Sequence, residues 1–172
     1  MLGMDLSEKH RAWLIREQVI APAAINFALN AGIAWLIFRG RGVVPLWGEG
    51  GIAQDAIATL FLLPFLTCLI VTPLVRRAVG AGKVPPLDGA IGLPQVVERL
   101  PRALLGRAAA LGLGGVVVGA PLVLGAVAVA GGALAVPTLV LSKGVYTGVL
   151  AALVGPMIAL RTLAEPRTQP PR

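Results

Sequence analysis

The sequence reads as four long apolar runs separated by short polar or glycine-rich connections. The runs cover 19–38, 52–75, about 101–130 and 137–160. Each supplies the roughly 20 residues that a helix needs to cross the hydrocarbon of a bilayer. Gly131, Gly132 and Pro137 blur the boundary between the third and fourth runs. The first run is too long for the apolar core of a cleaved signal peptide and is followed by Arg39 and Arg41, so it is expected to remain as an anchor. The predicted fold is an all-α membrane protein. A four-helix transmembrane bundle spans 19–160, and short interfacial helices lie on the cytoplasmic side.

The polar flanks refine this picture. Residues 1–18 contain "DLSEKHRAWLIREQ", which predicts a cytoplasmic interfacial helix capped by Asp5, with Glu8 three residues on, or else a plain extension of the first span flanked by topology charges. In "GLPQVVERLPRALLGR" the apolar positions Leu93, Val97, Leu100 and Leu104 fall at helical spacing, with Pro101 expected to break the helix. The proline-rich end, 161–172, predicts a disordered cytoplasmic tail.

Charge sets the expected orientation. The N-terminal segment, the connection between runs two and three and the tail together hold twelve of the fifteen Lys and Arg residues. The other two connections, with the fourth run, hold only Arg39, Arg41 and Lys143. The positive-inside rule then puts both termini in the cytoplasm. Trp35 and Trp47 fall at the outer interface and Trp13 at the inner one. Arg102 and Arg107, in the first turns of the third run, are expected to snorkel toward headgroups. The net charge of +7 is thus a topology signal that favours anionic lipid headgroups at the cytoplasmic face, not nucleic acid. Only 13% of residues are charged, against about 25% in soluble domains, and the mean hydropathy is +0.84. Arginine outnumbers lysine twelve to three, and alanine, glycine, valine, leucine and proline are used heavily; this bias suits a GC-rich bacterial genome and a multi-pass protein of the inner membrane.

Polar residues within the runs are the candidate site. Asn26 and Asn30 lie on the first run, Asp55 and Thr59 on the second, and Lys143 and Tyr146 on the fourth. At 1.5 Å per residue, Asp55 lies about 5 Å and Lys143 about 9 Å below the outer start of their helices, with Asn30 about 12 Å from the outer end of its own. All belong to the outer half of the bilayer. Asp55 and Lys143 are the one acid and the one base so placed, so Lys143 is expected to pair with Asp55 or to snorkel outward. Such a cluster can lock helices together or mark a solute or proton pathway.

Small residues form a second pattern. Gly112, Gly115 and Gly119 share one face of the third run, and Gly144, Gly148 and Gly155 one face of the fourth. Close backbone approach at such stripes drives helix association in lipid. The two stripes predict a tight antiparallel contact between the third and fourth helices, with a homodimer interface as the alternative.

Signals of catalysis are weak. Ser142 and Lys143 are adjacent and do not face one another on a helix, Cys68 and His10 are each single, and neither a zinc-helix motif nor a phosphate loop occurs. The expectation is no enzyme, cofactor or metal. The leading reading is a non-enzymatic accessory, assembly or structural membrane subunit with a membrane partner or a second copy of itself. The alternative is a small oligomeric permease that moves a small solute or proton through the polar cluster.

Overall fold

A computed structural model describes residues 6–87 and 92–165 of the chain. Four helices are long and apolar enough to cross a membrane. They are α1 (Glu8–Phe38), α2 (Ile52–Gly80), α4 (Leu104–Val129) and α5 (Val136–Leu163), with a single turn α3 (Gln95–Glu98) between the middle two. The chain is an all-α, multi-pass membrane protein built as a four-helix bundle.

Helix α1 selects between the two readings of the N-terminal flank. The predicted interfacial helix and the first crossing form one helix. Its cap is Ser7, whose hydroxyl accepts the His10 amide at 3.4 Å; Asp5 lies outside the described residues. Leu14–Ile20 is a π-helical stretch that ends just before Pro22. Proline has no N–H for the carbonyl four residues back, Gln18. The wider turn re-registers the ladder, as the Ala21 amide donating to the Arg16 carbonyl illustrates.

Helices α2 and α4 end alike. Gly82 and Gly131 adopt positive φ two residues past the helix, at +69° and +101°. The Lys83 and Gly132 amides then reach back to the Ala78 and Val127 carbonyls, satisfying groups that the helix end leaves open. The chain breaks at Arg99–Ala103 around Pro101, so α4 starts at Leu104, three residues later than predicted.

Two short strands join one end of the bundle. Val43–Pro45 (β1) follows α1, and Ala133–Ala135 (β2) precedes α5. They pair antiparallel, with Val44 opposite Leu134. Beneath this ladder Phe38, Val44, Leu46, Ile52, Val127 and Leu139 form an apolar core. At the opposite end Leu14, Val75, Val84, Val97, Leu160 and Leu163 form another. There His10 bridges Ser7 Oγ (2.7 Å) and the Pro85 carbonyl (2.9 Å), tying the start of α1 to the chain after α2.

The ladder explains how the helices are ordered. Helix α5 lies between α1 and α2, and α4 lies on the far side of α2, touching α5 little. The predicted contact between the glycine stripes of α4 and α5 is therefore corrected. The α4 stripe faces α2: Gly112 meets Phe61, Gly115 the Leu60 carbonyl and Pro64, and Gly119 the Leu60 side chain. The α5 stripe faces α1: Gly144 meets Phe27 and Ala31, Gly148 the Ala23 carbonyl, and Gly155 the Gln18 carbonyl. The physical reason is β2. A tight turn would fold α5 back on α4, but an extended segment hydrogen-bonded to β1 carries α5 across to the end of α1. Helix α5 is consequently the central one: 56% of its most apolar window is buried, against 6% for α1.

Candidate functional site

Asp55 projects from the first turn of α2 and Lys143 from the second turn of α5. Both helices start at the ladder end. Side chains on a helix lean toward its N-terminus, so the deeper lysine points back up to the shallower aspartate. Lys143 Nζ lies 2.5 Å from Asp55 Oδ1 and 2.7 Å from Oδ2. The lysine is 2% exposed and the carboxylate 17%. An unpaired ammonium at this depth would bear most of its desolvation cost, and the carboxylate offsets it.

Most of the surrounding polar groups are spent locally. The Asn26 side-chain amide donates to the Pro22 carbonyl (2.9 Å) and that of Asn30 to the Asn26 carbonyl (3.0 Å), both on their own helix. Asn26 is linked to α5 through its backbone: the buried Thr147 hydroxyl lies 2.7 Å from the Lys143 carbonyl and 3.3 Å from that of Asn26. Ser142 donates to the Leu139 carbonyl at 3.0 Å. Tyr146 stands beside Asp55 and Thr59, and its buried hydroxyl has no hydrogen-bond partner among the described residues.

Two spaces flank the ion pair. One, of about 330 Å³, lies between α2, α4 and α5 and includes Ala56, Leu122, Ala126, Leu139 and Tyr146 in its wall. The other, of about 610 Å³, is a groove between α1 and α2 walled by Leu29, Ile33, Leu62, Leu66 and Ile70, with Asn26, Asn30 and Thr59 along it. Asp55 and Lys143 border both. The site is a polar partition between two largely apolar clefts. The six predicted polar residues fall in one neighbourhood, although the groove holds the asparagines and Thr59 while the smaller cleft holds Tyr146.

No protein-family model, curated protein or solved structure matches this chain. Its chemistry rests on its own geometry.

A second charged cluster at the opposite end was missed from sequence. Arg107, expected to snorkel, is fully buried, with Nη1 3.0 Å from Glu165 Oε1. Glu165 Oε2 is held by Arg76 Nε (3.0 Å) and Nη2 (2.8 Å). Glu165 belongs to the segment predicted to be disordered from 161, yet α5 continues to Leu163 and Glu165 closes this cluster; 166–172 lie outside the described residues. The sequence holds a partial signal. Glu165 is the only acid after Glu98, and it follows a run of four arginines at 99, 102, 107 and 161. Among the described residues no group of three His, Cys, Asp or Glu could hold a metal ion.

Proposed function

We propose that this chain is a non-enzymatic accessory or assembly subunit of a bacterial cytoplasmic membrane, with both termini in the cytoplasm, and that the Asp55–Lys143 pair is a structural lock between α2 and α5. One observation carries the reading: the charged and amide groups of the cluster are consumed in local pairs. The lysine ammonium is taken by both carboxylate oxygens of Asp55, and both asparagine amides by carbonyls of α1. The walls beyond them are mainly aliphatic, with the hydroxyl groups of Thr138 and Tyr146 in one cleft and of Thr59 and Thr67 in the other not hydrogen-bonded to the pair. The lightly buried α1 leaves apolar surface for a neighbouring helix of a membrane partner or of a second copy.

Orientation rests on the basic residues. Arg76, Arg77, Lys83, Arg99, Arg102, Arg107 and Arg161 gather at the end opposite the ladder. At the ladder end Arg39 stacks over Trp35 at 5.1 Å, an arrangement suited to an interfacial aromatic belt.

The second reading, an oligomeric permease, is favoured by the fact that the ion pair borders both clefts. Reconstitution separates the two. Liposomes holding the purified protein and a pH-sensitive dye should leak protons no faster than empty ones. A protein-dependent flux abolished in an Asp55→Asn/Lys143→Met double variant that remains folded would refute the accessory reading.

A further inference from the structure

We propose that the first turn of α4, with Arg107, Arg76 and Arg161, forms a binding site for the phosphate of an anionic phospholipid. Two independent features meet there. Helix α4 begins at Leu104 without a side-chain cap, so its first amide groups point outward with no intrahelical acceptor. A bare helix N-terminus of this length attracts anions. Beside it lies a fully buried guanidinium with unmet donors: Arg107 Nη1 reaches Glu165, whereas Nε and Nη2 have no partner among the described residues. An arginine side chain leans toward the start of its helix, so a turn of Arg107 away from Glu165 brings these donors toward the uncapped turn. Buried donors left without an acceptor are costly, and their absence of a partner calls for a missing anion or water.

The charge balance favours an anion. Two guanidinium groups, Arg76 and Arg107, share the Glu165 carboxylate, and a third, Arg161, has its Nε 3.3 Å from the Leu100 carbonyl just before the turn. Glu165 remains neutralised by the two-point contact from Arg76 when Arg107 turns away. Arg107 can therefore exchange Glu165 for a phosphate, which its planar fork matches with two parallel hydrogen bonds. A lipid is the source that fits the position. The turn lies at the membrane end of α2, α4 and α5, where Arg76 is 53% exposed. Leu105, exposed in the same first turn, offers apolar surface to the acyl chains of the same molecule.

The test uses the full chain in mixed micelles and native mass spectrometry of retained lipid, with phosphatidylglycerol against phosphatidylcholine. The wild type should retain phosphatidylglycerol preferentially. Arg107→Gln should lower that preference about five-fold, the scale of one basic residue at a charged membrane surface. Arg41→Gln at the ladder end should leave it unchanged. Glu165→Gln removes the competing carboxylate and should raise retention, which a purely structural salt bridge would not do. That arm also keeps the proposal testable should Arg107→Gln fail to fold. Equal retention of both lipids, or reduced retention in Glu165→Gln, would overturn the site. Displacement of phosphatidylglycerol by millimolar inorganic phosphate would overturn its assignment to lipid.

Discussion

Gly114 and Gly115 are neighbours on α4, and the same substitution should have opposite consequences at the two. A Cβ added at Gly114 meets nothing within 4 Å, whereas one at Gly115 drives into the Leu60 carbonyl and lies 3.1 Å from Pro64 Cγ. Gly114→Ala thus gains only the helix-propensity difference, up to about 1 kcal/mol. Gly115→Ala must separate two backbones, and overpacking of this kind costs about 1–3 kcal/mol. The two variants should differ by about 2–4 kcal/mol in detergent unfolding followed by tryptophan fluorescence. A third position sharpens the test. At Gly119 the obstacle is the Leu60 side chain, with Cδ2 2.5 Å from an added Cβ. Leu60→Ala should therefore relieve Gly119→Ala in a double-mutant cycle yet leave Gly115→Ala unrelieved, because the obstructing carbonyl persists. Equal stability of the two neighbouring alanine variants, or equal relief by Leu60→Ala at both sites, would refute the assignment of the α4 stripe to α2.

Three further outcomes are expected. Lys143→Met or Asp55→Asn alone should cost about 3–5 kcal/mol by stranding a charge, while the double variant should cost less than either; additive losses in the same unfolding assay would mean that the pair contributes no coupling. Gly155→Ala should destabilise the contact of α5 with the π-helical stretch of α1, since the new methyl meets the Gln18 carbonyl; wild-type thermal stability would count against that packing. In a Cys68→Ala background, a cysteine at exposed Glu49 should label with an impermeant reagent on intact cells and one at exposed Glu98 should not; the reverse pattern would invert the proposed topology.

The four spans were legible because a membrane demands some 20 consecutive apolar residues, a requirement that sequence displays directly. The company of Asp55 and Lys143 was legible for a related reason: depth follows from counting residues along helices whose ends are known. Which helix faces which was not. Gly115 and Gly148 announce that a backbone comes close but carry no address for it, and the address depends on Gly42 to Leu46 pairing with Gly132 to Val136, two short segments of weak strand character. Arg107 was misread because an arginine near a helix start usually reaches headgroups, and only the fold brings Glu165 within its reach.

The placement of α5 between α1 and α2 has a consequence for biogenesis. The chain leaves the ribosome from its N-terminus, so α1 enters the bilayer long before its main partner exists. About 100 residues separate Phe38 from Val136, and at roughly 5–20 residues per second the wait is about 5–20 s. During that interval α1 must persist as a lone helix in lipid. Its two asparagines are suited to this, since both amides are satisfied by carbonyls of α1 itself and need nothing from a neighbour. Helix α2 and α4 can meet first, and the final helix then slots between two elements already in place, closing its salt bridge with an aspartate inserted earlier. A ribosome stalled before α5 would therefore leave an α2–α4 pair and an orphan α1, a state exposed to membrane quality control.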